Sequence, residues 1–169
     1  NVSGTGLIDM FIGGSDGNDL IDASALTGAS FAFSGFGGAG DDTLLGSDGT
    51  DFFTGGDGND SLIGNAGNDS INPGIGNDTV MGGDGDDMVA IPEMMAGNNI
   101  IDGGNGNDTL NGGDQNDLIT GGAGNDCLIG FAGDDTILGD AGDDIIEGRE
   151  GMDSLDGGLG NDNVKGDDD

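Results

Sequence analysis

The sequence has no histidine, tryptophan or tyrosine, one cysteine, two prolines and two basic residues, Arg149 and Lys165. Each shortage removes a class of function. Without histidine the chain cannot build an ordinary Ser-His-Asp or Cys-His nucleophile system, nor the His-containing sites that hold zinc. The single thiol, Cys127, cannot close an internal disulfide. No apolar run approaches the ~20 residues that span a bilayer as a helix, so membrane insertion is not expected. Two cationic side chains against 34 acidic ones leave a formal charge of −32, which repels nucleic acid and anionic lipid alike. The chain begins at Asn1 rather than methionine and carries no secretory h-region, which reads as a processed product or a fragment.

What is present is glycine, 41 residues of it, and aspartate. Low hydrophobicity with high charge ordinarily means disorder. A repeat overturns that default. The nonapeptide G-G-x-G-x-D-x-U-x, with U a large apolar residue, occurs at 14–22, runs unbroken through 37–90, and resumes from 103 to 165. Its sixth position is Asp19, Asp42, Asp51, Asp60, Asp69, Asp78, Asp87, Asp108, Asp117, Asp126, Asp135, Asp144, Asp153 and Asp162. The eighth is apolar throughout, from Ile21, Leu44 and Phe53 to Leu155 and Val164.

The positions have separable physics. Glycines supply positive φ and close backbone approach, so the first half of each copy reads as a tight turn. The x-U-x triplet reads as a short strand with U inward and its neighbours outward. Helices are excluded by the glycine content. Two turns and two strands close one eighteen-residue coil, and coils stack as parallel strands into an all-β solenoid.

One inward apolar residue in nine makes a thin core for so much glycine-rich backbone, and it does nothing against charge repulsion. Eighteen-residue stacking places Asp42, Asp60 and Asp78 in one column and Asp51, Asp69 and Asp87 in another. Further on, Asp108, Asp126, Asp144 and Asp162 form one column and Asp117, Asp135 and Asp153 the other. Stacked carboxylates need a counter-ion. Oxygen-only ligands in a flexible turn favour Ca²⁺ over Mg²⁺, and no His or thiolate cluster exists for zinc. About nine ions, one for each neighbouring pair, would offset roughly 18 of the 32 negative charges.

"GGAGDDTLL", "GGDGNDSLI", "GGNGNDTLN" and "GGAGNDCLI" resemble the repeats-in-toxin (RTX) nonapeptide. The resemblance covers 14–22 and 37–165. It implies a right-handed parallel β-roll with Ca²⁺ between neighbouring turns, bound by the sixth-position Asp side chains and by backbone carbonyls of the Gly-rich turns. It also implies type I secretion from a Gram-negative bacterium, with folding on reaching calcium outside the cell. There are departures. Gln115 replaces a fourth-position Gly, which should strain the Asp117 site; Pro73 replaces a first-position Gly. Asn99 replaces Asp in "MMAGNNIID", after a three-residue insertion Ile91-Pro92-Glu93 that bulges or shifts the stack. Segment 23–36 has lost the pattern and should not bind calcium as the others do, and no aromatic cap follows Gly166.

The expected organisation is one continuous solenoid: degenerate coils at 1–36, regular blocks at 37–90 and 103–169, and an irregular 91–102 between them. "GGSDG" at 13–17 matches G-x-S-x-G by chance, since no histidine can serve it. Cys127 reads as an inert outward thiol. Leu45, Ile63 and Met81 should align as an outward apolar stripe, either tolerated surface or a homo-oligomer or filament contact; Phe52 and Met88 face outward on the opposite sheet. The expected role is a non-enzymatic structural element of an extracellular or cell-surface protein: adhesin, surface layer or filament. The alternative is the secretion and folding module of a protease, lipase or toxin. Ice binding is disfavoured, because threonine does not stand before the turn glycine.

Overall fold

The computed structural model describes residues 8–27, 31–91 and 97–166. Met94 to Ala96 of the degenerate repeat and Pro92-Glu93 of the insertion lie outside them. Among the described residues every regular element is a strand. One sheet holds β1 (Ile8–Gly13), β3 (Phe31–Ala39), β5 (Asp51–Asp57), β7 (Ser70–Ile75), β9 (Met88–Val89), β11 (Thr109–Asp114), β13 (Cys127–Ala132), β15 (Ile145–Glu150) and β17 (Asn163–Lys165). The other holds β2 (Leu20–Asp22), β4 (Thr43–Leu45), β6 (Ser61–Ala66), β8 (Thr79–Asp84), β10 (Ile100–Asn105), β12 (Leu118–Ala123), β14 (Thr136–Ala141) and β16 (Ser154–Asp156). Consecutive strands alternate between sheets and every pairing is parallel, as a chain winding into stacked coils requires. This is a β-solenoid consistent with a β-roll.

Register follows the eighteen-residue clock. Leu44 pairs with Leu62 and Leu62 with Val80; on the facing sheet Phe53 pairs with Ile71. These eighth-position side chains form the core between the sheets, and Leu44, Leu62, Val80, Leu110, Ile119, Leu128, Ile137 and Ile146 have no exposure.

The strands are longer than the x-U-x triplet predicts. Ser61–Ala66 covers positions seven to nine of one copy and one to three of the next, and Gly104 pairs with Gly122 at position two. The turn is therefore confined to positions four to six. Left-handed φ at Gly104 (105°) and Gly122 (106°) bends both strands alike, so the ladder survives the bend.

The solenoid continues where the repeat is lost. β3 takes up the end of the irregular 23–36 segment, from Phe31, and continues to Ala39, pairing with β1 and β5. Its register sets Phe33 opposite Asp51 and Gly35 opposite Phe53, so a phenylalanine stands at the aspartate position and a glycine at the core position. The exchange is complementary. A Cβ on Gly35 would lie 3.3 Å from Phe33 Cε1 and 3.1 Å from Leu44 Cδ2, so the fully buried Phe33 ring fills the space that Gly35 leaves. At the second irregularity, β9 pairs with β7 on one side and β11 on the other, and the three inserted residues do not interrupt the sheet.

Candidate metal centres

The fold brings the sixth-position aspartates to the two edges where the chain passes between sheets. Asp42, Asp51, Asp60, Asp69, Asp78, Asp87, Asp108, Asp117, Asp126, Asp135 and Asp144 are each at most 3% exposed; Asp19, Asp153 and Asp162 are partly buried. Along each column a backbone N–H donates to the side-chain Oδ1 of the residue one coil on. On one edge Asp42 donates to Asp60 and Asp60 to Asp78, both at 2.8 Å. On the other, Asp51 donates to Asp69 at 2.7 Å and Asp69 to Asp87 at 2.8 Å. The same bond joins Asp108, Asp126, Asp144 and Asp162, and likewise Asp117, Asp135 and Asp153.

Two links were not legible in the nine-residue pattern. Asp19 donates to Asp42 across 23 residues, and Asp87 donates to Asp108 across 21, both at 2.8 Å. Asn99 enters the opposite column between Asp78 and Asp117. The signal available was simple: an insertion lengthens the spacing but leaves the coil order unchanged.

The second carboxylate oxygen has no such partner. Oδ2 of Asp42, Asp60, Asp69, Asp87, Asp108, Asp117, Asp126, Asp135 and Asp144 is buried without a hydrogen bond, as is that of Asp78 and Asp153. These atoms face first-position glycines. A Cβ on Gly37 would run into both Asp42 Oδ2 and the Gly55 carbonyl, and one on Gly64 into Asp69 Oδ2 and the Gly82 carbonyl. Two acceptors, one carboxylate and one carbonyl from the next coil, thus converge on a small space with no donor. Buried unpaired acceptors are costly, and this donor set fits a hard cation. Among the described residues no three His, Cys, Asp or Glu side chains converge. A cation held here would draw on carboxylates completed by main-chain carbonyls.

Without a cation the carboxyls resist ionisation. Asp69 and Asp117 are pushed up to about 8, and Asp60, Asp87, Asp108, Asp126 and Asp135 to about 6. Desolvation is the largest cause, and column neighbours such as Asp51 and Asp87 around Asp69 add repulsion. The only basic side chains lie elsewhere: Lys165 reaches Glu147 at 3.1 Å, and Arg149 sits 3.7 Å from Glu147 with its guanidinium 4.2 Å from the Phe131 ring centroid.

Each column begins with a different device. Ser15 donates its N–H to Asp19 Oδ2 at 2.9 Å. Ser47 donates its N–H to Asp51 Oδ2 at 2.7 Å and its hydroxyl to Oδ1 at 2.9 Å. "GGSDG", chemically idle as a nucleophile motif, thus serves as a cap for the first carboxylate. Gln115 takes φ of 80°, yet Asp117 keeps its 2.8 Å bond to Asp135, so the substitution does not displace the column. Desolvation and Glu147 raise the Cys127 thiol further, away from thiolate reactivity.

A second ladder runs outside the aspartates. The N–H of Asn59 donates to Asp41 Oδ1, that of Asn77 to Asn59 Oδ1, and that of Asn125 to Asn107 Oδ1, each at 2.9 Å. Its acceptor lies one coil back, whereas the sixth-position acceptor lies one coil forward. The Asn or Asp that precedes every sixth-position Asp except Asp51 and Asp153 was its sequence signal.

A parallel solenoid whose edges are stacked, oxygen-lined carboxylate columns belongs to the class of cation-binding β-rolls. The family model for the RTX calcium-binding nonapeptide repeat matches in four copies, over residues 36–62, 54–89, 95–128 and 129–164, and the chain belongs to that family. A comparison with curated proteins finds no match.

Proposed function

We propose that this β-roll folds on binding Ca²⁺ outside the cell and serves as a structural element of a secreted or surface-attached bacterial protein. The ligands are the carboxylates of the sixth-position aspartates, from Asp19 to Asp162, and backbone carbonyls of the Gly-rich turns. The observation that carries the reading is the set of buried Oδ2 atoms facing carbonyls with no donor. Bound Ca²⁺ supplies the positive charge that these acceptors lack. The protein's own residues set the sites: Oδ1 is fixed by the N–H of the preceding coil, which leaves Oδ2 free to face the ion. Secretion by a type I route is what family membership implies.

Leu45, Ile63 and Met81 pair in register on β4, β6 and β8, with Asp22 before them and Asp102 after. This uncharged stripe on a strongly acidic body favours the structural role over that of a module serving a catalytic domain, through lateral contact between copies.

Circular dichroism during a calcium titration tests the folding reading. Little regular structure in chelator and cooperative β-sheet formation at millimolar calcium are expected. A chain equally folded in excess EDTA, with no ion retained, would sink it.

A further inference from the structure

The break between the two repeat blocks is not symmetrical. On one edge, Asp87 donates to Asp108 Oδ1 at 2.8 Å across 21 residues, and Oδ2 of both is buried and unpaired. A Cβ on Gly82 would meet Asp87 Oδ2 and the Gly103 carbonyl, the arrangement found at the regular levels. The insertion has left this cradle intact.

The opposite edge differs at Asn99. Asn99 is 3% exposed, and its Nδ2 takes the place of the free carboxylate oxygen. It donates to the Gly112 carbonyl at 3.1 Å and the Gly97 carbonyl at 3.3 Å. At regular levels a carboxylate oxygen and this first-position carbonyl repel and call for a cation. Here an amide and a carbonyl bond directly.

We propose that the solenoid is locked unequally across its break: a cation level between Asp87 and Asp108 ties the two blocks together on one edge, while on the other edge the Asn99 amide closes its own level without metal. This rests on the calcium reading above and adds which levels the ions occupy. A cation level of this kind makes the two blocks one folding unit despite the insertion. The metal-free level keeps its column continuous, because Asp78 donates to Asn99 Oδ1 at 3.0 Å and Asn99 to Asp117 Oδ1 at 2.7 Å.

Native mass spectrometry of the whole chain at saturating Ca²⁺ counts the ions, and circular dichroism follows the transition. Asn99→Asp should carry one more ion than the wild type, since a carboxylate oxygen would again face the Gly112 carbonyl. Asp87→Asn should carry at least one fewer, because its amide would meet the Gly103 carbonyl as Asn99 meets that of Gly112. Asp42→Asn, far from the break, should likewise lose an ion. An unchanged count in Asn99→Asp, or an unchanged count in Asp87→Asn, would overturn the assignment. If Asp87→Asn does not fold, the Asn99→Asp count decides alone. A wild type that binds no calcium would overturn the general reading together with this one, a result that needs no variant to recognise.

Discussion

The backbone N–H of Asp42 donates to Asp60 Oδ1 at 2.8 Å, while Asp60 Oδ2 is left buried without a partner. One carboxylate is thereby divided between two tasks. Its neighbour in the next coil uses the same division, so each aspartate both registers the stack and exposes an acceptor to the level beyond.

The first-position glycine keeps that level open. In Gly55→Ala the new Cβ would lie between Asp60 Oδ2 and the Pro73 carbonyl. We expect a stability loss of about 1–3 kcal/mol at saturating calcium and one ion fewer by mass spectrometry. Gly17→Ala is the contrast: no atom lies within 4 Å, and only its φ of 108° is strained. That variant should lose about 1–2 kcal/mol and keep every ion.

Protons compete for the same oxygens. Asp69 and Asp117 at about 8 and Asp60 at about 6 stand above the ordinary 3.8, so the metal-free fold binds protons that the unfolded chain releases. Its stability is greatest below about pH 4 and falls as pH rises toward 8. Acidification in EDTA should therefore increase β-sheet signal. The calcium midpoint should move to higher concentration as pH drops from about 8 to 6. A midpoint independent of pH would mean the carboxylates are already ionised without metal.

Phe33 fills core space rather than an ion level. Phe33→Ala should cost about 3–5 kcal/mol, because Gly35 offers nothing to fill the cavity. The ion count should not change. Loss of ions would place Phe33 in the metal network instead.

If Leu45, Ile63 and Met81 form a lateral contact, Ile63→Lys puts a charge at the centre of the stripe, between its two paired neighbours. Sedimentation at saturating calcium should show the wild type associating and the variant monomeric, with identical circular dichroism. Equal sedimentation would remove the contact.

Much of this was readable beforehand, for a physical reason. A short repeat repeats its environment, so Leu62 and Asp60 could be assigned inward and edge positions from period alone, and the eighteen-residue pairing followed. The fifth-position ladder was legible in principle from Asn59, Asn68 and Asn77, but an exposed amide carries no hydrophobic signal and its partner lies a coil away. Phe33 was not legible. Its role depends on Gly35 and Leu44 across the core, which no local pattern reports.

The sequence by itself determined the solenoid and the columns, because composition and period leave no other way to bury one aliphatic residue in nine beneath so much negative charge. Only the tertiary structure decided how the columns cross their irregularities. Insertions change spacing along the chain but not order in the stack, so Asp87 meets Asp108 and Asn99 meets Gly112 through contacts between coils that sequence distance does not encode.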